Sequence, residues 1–343
     1  MFQEMVTDLA ATIGLVNPAD LETLDRDKAW RDVAGSGLLG LRVREAGRPV
    51  AGGVEVMLAV QGLAARLVPL PVLGSGVLAL ELLALADAPA DWIAELAEGQ
   101  ARYAVLLRPD LSGPAPVAGA GAVAWDSAGA DYLLALDEAS GETRLTRTPA
   151  AGRLSPLDSI DLTRSTSQAS PAGAGAGEAS RAAETAGRPL TQADLDRWQA
   201  LALTALSADI VGAMRGGLDG VVGYAKQRVQ FGVPIGSFQA VQHMCAEMLV
   251  KVEGAASATK YAAWAVDELE PADALLAART AKCYAASVAR DVPETVMQVY
   301  GGIGQTWESI AHFYLRRTLL DRRVLGDEEA QLAEIANSRL GRV

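Results

Sequence analysis

"YAKQRVQFGVPIGSFQAVQ", Tyr224 to Gln242, decides how the chain is read. It places a strong cation, Arg228, three residues before Phe231-Gly232, then Pro234 and Gly236, then two glutamines. The Pro and Gly residues end one periodic apolar segment before another begins. Upstream, "TQADLDRWQALALTALSADIVGAMRGGLDGVVGYAKQ" reads as one long helix. Thr191 is its N-cap, and Asp194 and Asp196 suit the positive end of its dipole. Downstream, a second helix is expected from Ser237 to about Glu268. A third starts at Pro271, where proline fits the first turn. "GQTWESIAHFYLRRTLLD" and "GDEEAQLAEIANSRL" complete a helical set, with Asp327 and Glu328 opening the last helix. Taken alone, Arg228 is either a surface helix end or a cation held for an anionic ligand. "YGGIG", from Tyr300, is either a helix-ending turn or a place where backbone approaches something closely.

Working outward, residues 188–343 form a helical bundle, and the texture changes before it. Residues 1–98 are helical. "ADLETLDRDKAWRDVAGSGLLGL" has apolar residues at three- and four-residue spacing. "GGVEVMLAVQGLAARLVPLPVLGSGVLALELLALA" reads as two apolar helices broken at its prolines. Residues 99–187 are different. "ARYAVLLRPD", "AGAVAWDSAG", "DYLLALDEASG", "ETRLTRTPA" and "SIDLTRSTSQ" are short apolar runs divided by Gly, Pro, Asp and Ser, which predicts a small sheet. "SPAGAGAGEASRAAETAGRPL" lacks the strand before and the spacing after that a dinucleotide loop needs, so it reads as a flexible connection. The fold class is α+β, mainly α: helices, small β-domain, long bundle. Strands do not alternate with helices throughout, which argues against a doubly wound sheet.

Composition narrows the function classes. The chain has 343 residues, half of them hydrophobic, enough for a substantial core. The formal charge of −12 argues against sequence-independent nucleic-acid binding. The two cysteines, Cys245 and Cys283, lie in apolar helical patterns and read as small hydrophobes. With only His243 and His312, neither a zinc cluster nor a Ser-His-Asp triad is supported. The acidic start lacks the basic region of a secretory signal. The apolar zone from Val54 to Ala86 is interrupted by Arg66, Pro69, Pro71 and Glu81, too early for a membrane span. A soluble cytoplasmic protein is expected.

At this point two motifs in order resemble a family. "KQRVQFGVPIGSFQAVQHMCAEM" resembles the Arg-x-x-Phe-Gly segment of acyl-CoA dehydrogenases. "QVYGGIGQTWES", Gln298 to Ser309, is similar to their Gln-x-x-Gly-Gly-x-Gly segment. "HFYLRR" and "GDEEAQLAEIA" resemble their last two helices. The resemblance implies a helical N-terminal domain, a middle β-domain and a C-terminal four-helix bundle, assembled as dimers or tetramers. It implies FAD extended between one subunit and the bundle of its neighbour. A carboxylate in the family takes the α-proton of an acyl-CoA while flavin N5 takes a β-hydride. By this resemblance Arg228 grips the FAD pyrophosphate, a good match for a permanently charged guanidinium. Phe231 packs at the adenine end, Gly232 allows a close turn and Gln239 hydrogen-bonds the cofactor. Gln298, Gly301 and Gly302 meet the FAD of the neighbouring subunit.

The same resemblance shows what is missing. The family base is a glutamate either before the last helix or 26 residues ahead of the cofactor arginine. Those positions hold Leu325 and Ala202, and neither accepts a proton. Asp209 and Glu308 are near in sequence but match neither position. The "TEPxAGSD"-like segment is replaced by "LRPDLSGP", Leu107 to Pro114, and the Trp-x-Thr-like strand is reduced to "AWDSAGADYLLAL". A CoA-holding arginine corresponds to Leu203. The pattern resembles the catalytically silent subunit of actinobacterial heteromeric dehydrogenases of the steroid side-chain type. Such a chain contributes FAD binding to an α2β2 assembly, while the partner supplies the glutamate and most of the acyl-CoA site. An electron-transfer protein is the possible acceptor. A homomeric dehydrogenase or oxidase with a displaced base, and a flavin-free scaffold, stay open as alternatives.

Overall fold

The computed structural model describes residues 1–116, 121–139, 141–170 and 183–341, with the side chain of residue 139 set aside. Most of the stretch expected to be a flexible connection, residues 171–182, lies outside the described residues.

The first part is helical: α1 (Phe2–Ile13), α2 (Asp20–Thr23), α3 (Arg26–Gly35), α4 (Gly53–Ala64), α5 (Leu80–Leu85) and α6 (Ala90–Ala97). A small hairpin, β1 (Arg44–Glu45) with β2 (Arg48–Pro49), separates α3 from α4. As expected, the chain breaks at Pro69 and Pro71, then runs as a π-helical stretch, Val72–Ala79, into α5.

The middle part is a seven-stranded sheet in the order β7-β8-β4-β3-β5-β6-β9. Its strands are β3 (Tyr103–Leu107), β4 (Val123–Trp125), β5 (Tyr132–Ala139), β6 (Glu142–Pro149), β7 (Leu154–Leu157), β8 (Thr166–Ala169) and β9 (Glu184–Thr185). All pairings are antiparallel except β3 with β5. The expected strand over "SIDLTRSTSQ" forms only from Thr166. Asp161, Thr163 and Arg164 instead turn inward and are buried. Their hydrogen-bonding demand is met by other charged side chains rather than by a ladder.

The bundle comprises α7 (Gln192–Gln227), α8 (Gln239–Glu268), α9 (Pro271–Val288), α10 (Asp291–Tyr300), α11 (Ala311–Arg323) and α12 (Glu328–Leu340). Between α7 and α8 lies a second hairpin, β10 (Val229–Gln230) with β11 (Val233–Pro234). Thr191 caps α7 in a reciprocal box with Asp194, as its sequence predicts. Asp327 caps α12 through the Ala330 N–H. α8 starts two residues later than expected.

α7 is the axis of the molecule. Every residue from Ala200 to Met214 is buried, so this half is covered on all faces. Small residues make the close approach possible: a Cβ at Gly212 or Gly216 would strike the carbonyls of Gln61 or Ala65. α7 is long and apolar enough to cross a membrane, yet 89% of its most apolar window is buried inside the fold.

Candidate functional site

At its C-terminal end α7 opens to solvent. Arg228 leaves the helix with ψ 119°, and its N–H donates to the Tyr224 carbonyl at 2.8 Å. The next residues pair at once as β10 and β11, and Ile235 N–H returns to the Arg228 carbonyl at 2.8 Å. The two-residue loop is Phe231-Gly232, with φ 53° and 81°. Positive φ at both positions is the signature of a type I′ hairpin turn, which favours Asn-Gly. Gly232 fits it, whereas Phe231 holds a left-handed backbone against its Cβ. Its ring is 93% exposed and meets Phe238 edge-on at 6.3 Å. Arg228 is exposed, and its side chain has no ion pair or hydrogen bond among the described residues. Gln239, exposed, begins α8.

The second motif arrives at the same end. Gln298 is exposed on α10, and Gly301 terminates that helix at φ 68°, ψ −146°. A Cβ at Gly302 would meet nothing within 4 Å in this chain. Only Gly301 is therefore required by its own backbone. Tyr300 packs its ring on Tyr224 at 4.7 Å. Val221, Val299, Ile235 and Val241 belong to one apolar cluster with it. The structure thus brings Arg228, Phe231, Gln239, Gln298, Gly301 and Gly302 to one open end of the bundle.

The two expected base positions come together in the opposite environment. Ala202 is 0% and Leu325 2% exposed, and both sit in the largest apolar cluster with Leu107, Trp125 and Leu203. Leu325 is held at φ 58°. Its N–H donates to the Leu111 carbonyl at 2.8 Å, and its carbonyl accepts from Gln331 Nε2 at 2.6 Å. Leu111 belongs to the substituted segment "LRPDLSGP", which folds back on itself through Arg108 N–H to the Gly113 carbonyl. Its side chain packs on this core. Beneath the turn, buried Lys282 donates to the carbonyls of Asp321, Arg322, Val324 and Gly326 at 2.9–3.0 Å.

Beside this core lies a charge network that sequence reading missed. Arg164 binds Asp126 at 2.8 Å and Asp209 at 2.5 Å. Arg317 binds Asp161 at 3.0 Å and donates to Thr163 and to the Val68 carbonyl. Asp321 lies within 3.8 Å of Arg164. All six charged groups are at most 5% exposed. Burial pushes Asp209 up, but Arg164 and Arg317 outweigh it and hold the carboxyl below its usual range. Burial and the neighbouring Asp209 charge push Asp321 far up, opposite to Asp209. The available signal was in α11, where Tyr314, Arg317 and Asp321 continue a three-to-four-residue stripe that should be apolar. Glu308, the other carboxylate considered, is exposed.

The residues at the open end have the chemistry to hold FAD, and the two ends differ in the space they offer. The void bounded by Asp209, Arg164, Arg317 and six aliphatic residues is about 10 Å³, no more than a water-sized space. Trp125 is 1% exposed, with the Arg164 guanidinium 5.0 Å from its ring centre. Trp125, Ala202 and Leu325 are all buried in one apolar cluster. The open end offers an unpaired guanidinium, an exposed aromatic and glycine-bounded space. The two ends lie 26 residues apart along α7, about 39 Å.

Comparison with known proteins gives the family. The acyl-CoA dehydrogenase C-terminal domain model matches residues 201–340. Acyl-CoA dehydrogenase FadE34 of Mycobacterium tuberculosis is 46% identical over 122 residues, 36% of this chain but 17% of that much longer protein. Acyl-CoA dehydrogenase IpdE2 of the same organism is 34% identical over 270 residues, covering 78% of this chain and 72% of its own. Among solved structures, the Tcur3481-Tcur3483 steroid ACAD G363A variant superposes with TM-score 0.79 at 24% identity, covering 98% of this chain and 96% of that one. The chain belongs to the acyl-CoA dehydrogenase family.

Proposed function

We propose that this chain is the base-less subunit of a two-chain, FAD-dependent acyl-CoA dehydrogenase. The observation that carries the reading is the contrast along α7: an open cofactor-holding end and a catalytic end packed shut. When bound, FAD supplies the acceptor for the β-hydride of a CoA thioester. Arg228 holds the pyrophosphate by charge-assisted hydrogen bonds. Phe231 and Gln239 seat the adenosine side, and Gln298, Gly301 and Gly302 line the approach. The catalytic glutamate and the acyl pocket belong to the second subunit, in an α2β2 assembly. The likeness to the two-component steroid ACAD structure supports a second chain and a bulky, steroid-derived acyl group. Reoxidation by an electron-transfer protein and a cytoplasmic site of action complete the reading.

A homomeric enzyme with a displaced base is the rival reading. Asp209 and Asp321 are the buried carboxylates nearest the base positions in sequence, and both are engaged in the network beside a water-sized void. Expression alone and with a second dehydrogenase-like chain tests this. The expected result is a colourless, inactive chain alone, and a yellow complex with one FAD per pair of chains that loses flavin on Arg228→Ala. A yellow, active homo-oligomer would sink the proposal, and a flavin-free active complex would leave a scaffold.

A further inference from the structure

Among the described residues, Arg42, Arg164, Arg317 and Lys282 are cations at most 5% exposed. The three arginines are each matched to carboxylates. Lys282, on α9, is surrounded differently. All four acceptors of its Nζ are backbone carbonyls: Asp321 and Arg322 at 2.9 Å, Val324 and Gly326 at 3.0 Å. A shell of carbonyl oxygens replaces the hydration of a bare monovalent cation elsewhere in proteins. An ammonium has three N–H donors and no acceptor, so four converging oxygens favour the charged form. Burial pulls the Lys282 pKa down to about 7, and the nearby Asp321, Asp327 and Glu328 charges pull it back up.

The local chain explains why a cation is needed there. The last carbonyls of a helix have no partner within it and carry the negative end of its dipole. Helices commonly close with a left-handed glycine just past the cap. α11 is capped by Val324, and the left-handed residue after it is Leu325, φ 58°, with Gly326 following at 93°. The Leu325 N–H does not fold back on α11 but donates across to the Leu111 carbonyl at 2.8 Å. A leucine therefore bears the steric cost of a left-handed backbone without the usual closing hydrogen bond. Lys282 reaches in from another helix and takes the carbonyls on both sides of Leu325, with two more from the last turn of α11. Gln331 of α12 takes the Leu325 carbonyl itself at 2.6 Å. The turn is held from outside, by its carbonyls.

We propose that the Lys282 ammonium is a tethered monovalent cation that caps α11 and fixes the Leu325 turn, in a carbonyl site that takes a free ammonium ion once the side chain is removed. The inference does not depend on the cofactor reading, because it concerns neither Arg228 nor FAD. Two variants of the full chain test it at about pH 6, below the Lys282 value. Lys282→Ala opens the channel to the carbonyl shell, and Lys282→Met removes the charge but keeps the channel filled. Both lower the denaturant midpoint. In ammonium chloride against choline chloride, the Ala variant gains stability with the logarithm of ammonium concentration, as binding to the native state requires. That gain exceeds any difference between the two salts shown by wild type and by the Met variant. Amide exchange at Leu325 quickens by about tenfold or more in Lys282→Ala in choline, as expected for lost hydrogen bonds to a charged group, and slows again in ammonium. If the Ala variant is unfolded in choline, its folding in ammonium is the same positive result. Equal behaviour of the Ala variant in the two salts, an ammonium gain of the same size in the Met variant, or a rescue that leaves Leu325 exchange fast each overturns the proposal.

Discussion

The two ends of α7 come from one continuous helix and meet opposite fates. Around Ala202 every face is covered, and the places where the family keeps an acid are aliphatic. At Arg228 the helix runs out into a hairpin whose side chains face solvent. On the proposed reading, the difference teaches that a catalytic site can be lost while a cofactor edge is kept. The first is a cavity and collapses when its lining becomes apolar. The second is a surface, and persists while a few residues keep their backbone geometry.

The largest test of this contrast restores the acid. Ala202→Glu or Leu325→Glu puts an unpaired carboxylate into the largest apolar cluster. A loss of about 3–5 kcal/mol is expected from an uncompensated buried charge. Denaturant unfolding should show a collapsed midpoint, and neither variant should turn over acyl-CoA. Normal stability with turnover by either would mean that a functional pocket exists at this end after all.

Arg164→Ala is the next step down. It leaves Asp126 and Asp209 without their closest cation, and about 3 kcal/mol is expected to be lost. Arg228→Ala, by contrast, should move stability by no more than about 0.5 kcal/mol. In the assembled complex it should weaken flavin retention by about 1.5–3 kcal/mol, the range of a hydrogen bond to a charged group. The pair breaks the comparison if Arg228→Ala unfolds the chain or Arg164→Ala is silent. Arg228→Lys should fall between, since it keeps the charge and loses the planar fork.

The architecture was legible because it rests on local signals. The Thr191 cap, the Pro271 start, the break at Pro69 and Pro71 and the periodicity of the bundle are all carried by neighbours in sequence. The six residues that the resemblance assigns to FAD were legible as motifs, and the structure adds that they share one end of the bundle. The ion network was not legible. Asp126 and Arg164 come from two loops, Asp209 from α7 and Arg317 from α11, and charged residues in isolation read as surface. Nor did sequence show that Phe231 is held at φ 53° or that Gly302 has open space in its own chain. Both depend on what a turn faces, which no local pattern records.

The network also predicts a pH signature at the closed end. The folded-state pKa of Asp321 lies well above its ordinary 3.8. Its contribution is fully present below about pH 4 and is lost as pH rises through the folded value. Asp209 runs the other way, with a contribution present above 3.8 and lost as pH falls through its depressed value. Asp321→Asn keeps a hydrogen-bond donor towards Asp209 and removes the first titration. Its unfolding free energy relative to wild type should therefore rise with pH above about 4. A flat difference across that range would mean that the proton does not rest on Asp321.

The smallest effect sharpens the open end. Phe231 occupies a turn position that asparagine would fill with less strain, ahead of a glycine already in place. Phe231→Asn should stabilise the hairpin by about 1 kcal/mol, the cost of a left-handed conformation for a residue with a Cβ and no local hydrogen bond. It removes a ring that is 93% exposed and packs on little but Phe238, so few contacts are lost in the free chain. A stabilised chain whose complex holds flavin less tightly would show that the strain at Phe231 is kept for the cofactor. A destabilised chain would place the ring instead in the packing of the free subunit, and the contrast between the two ends would then be one of degree.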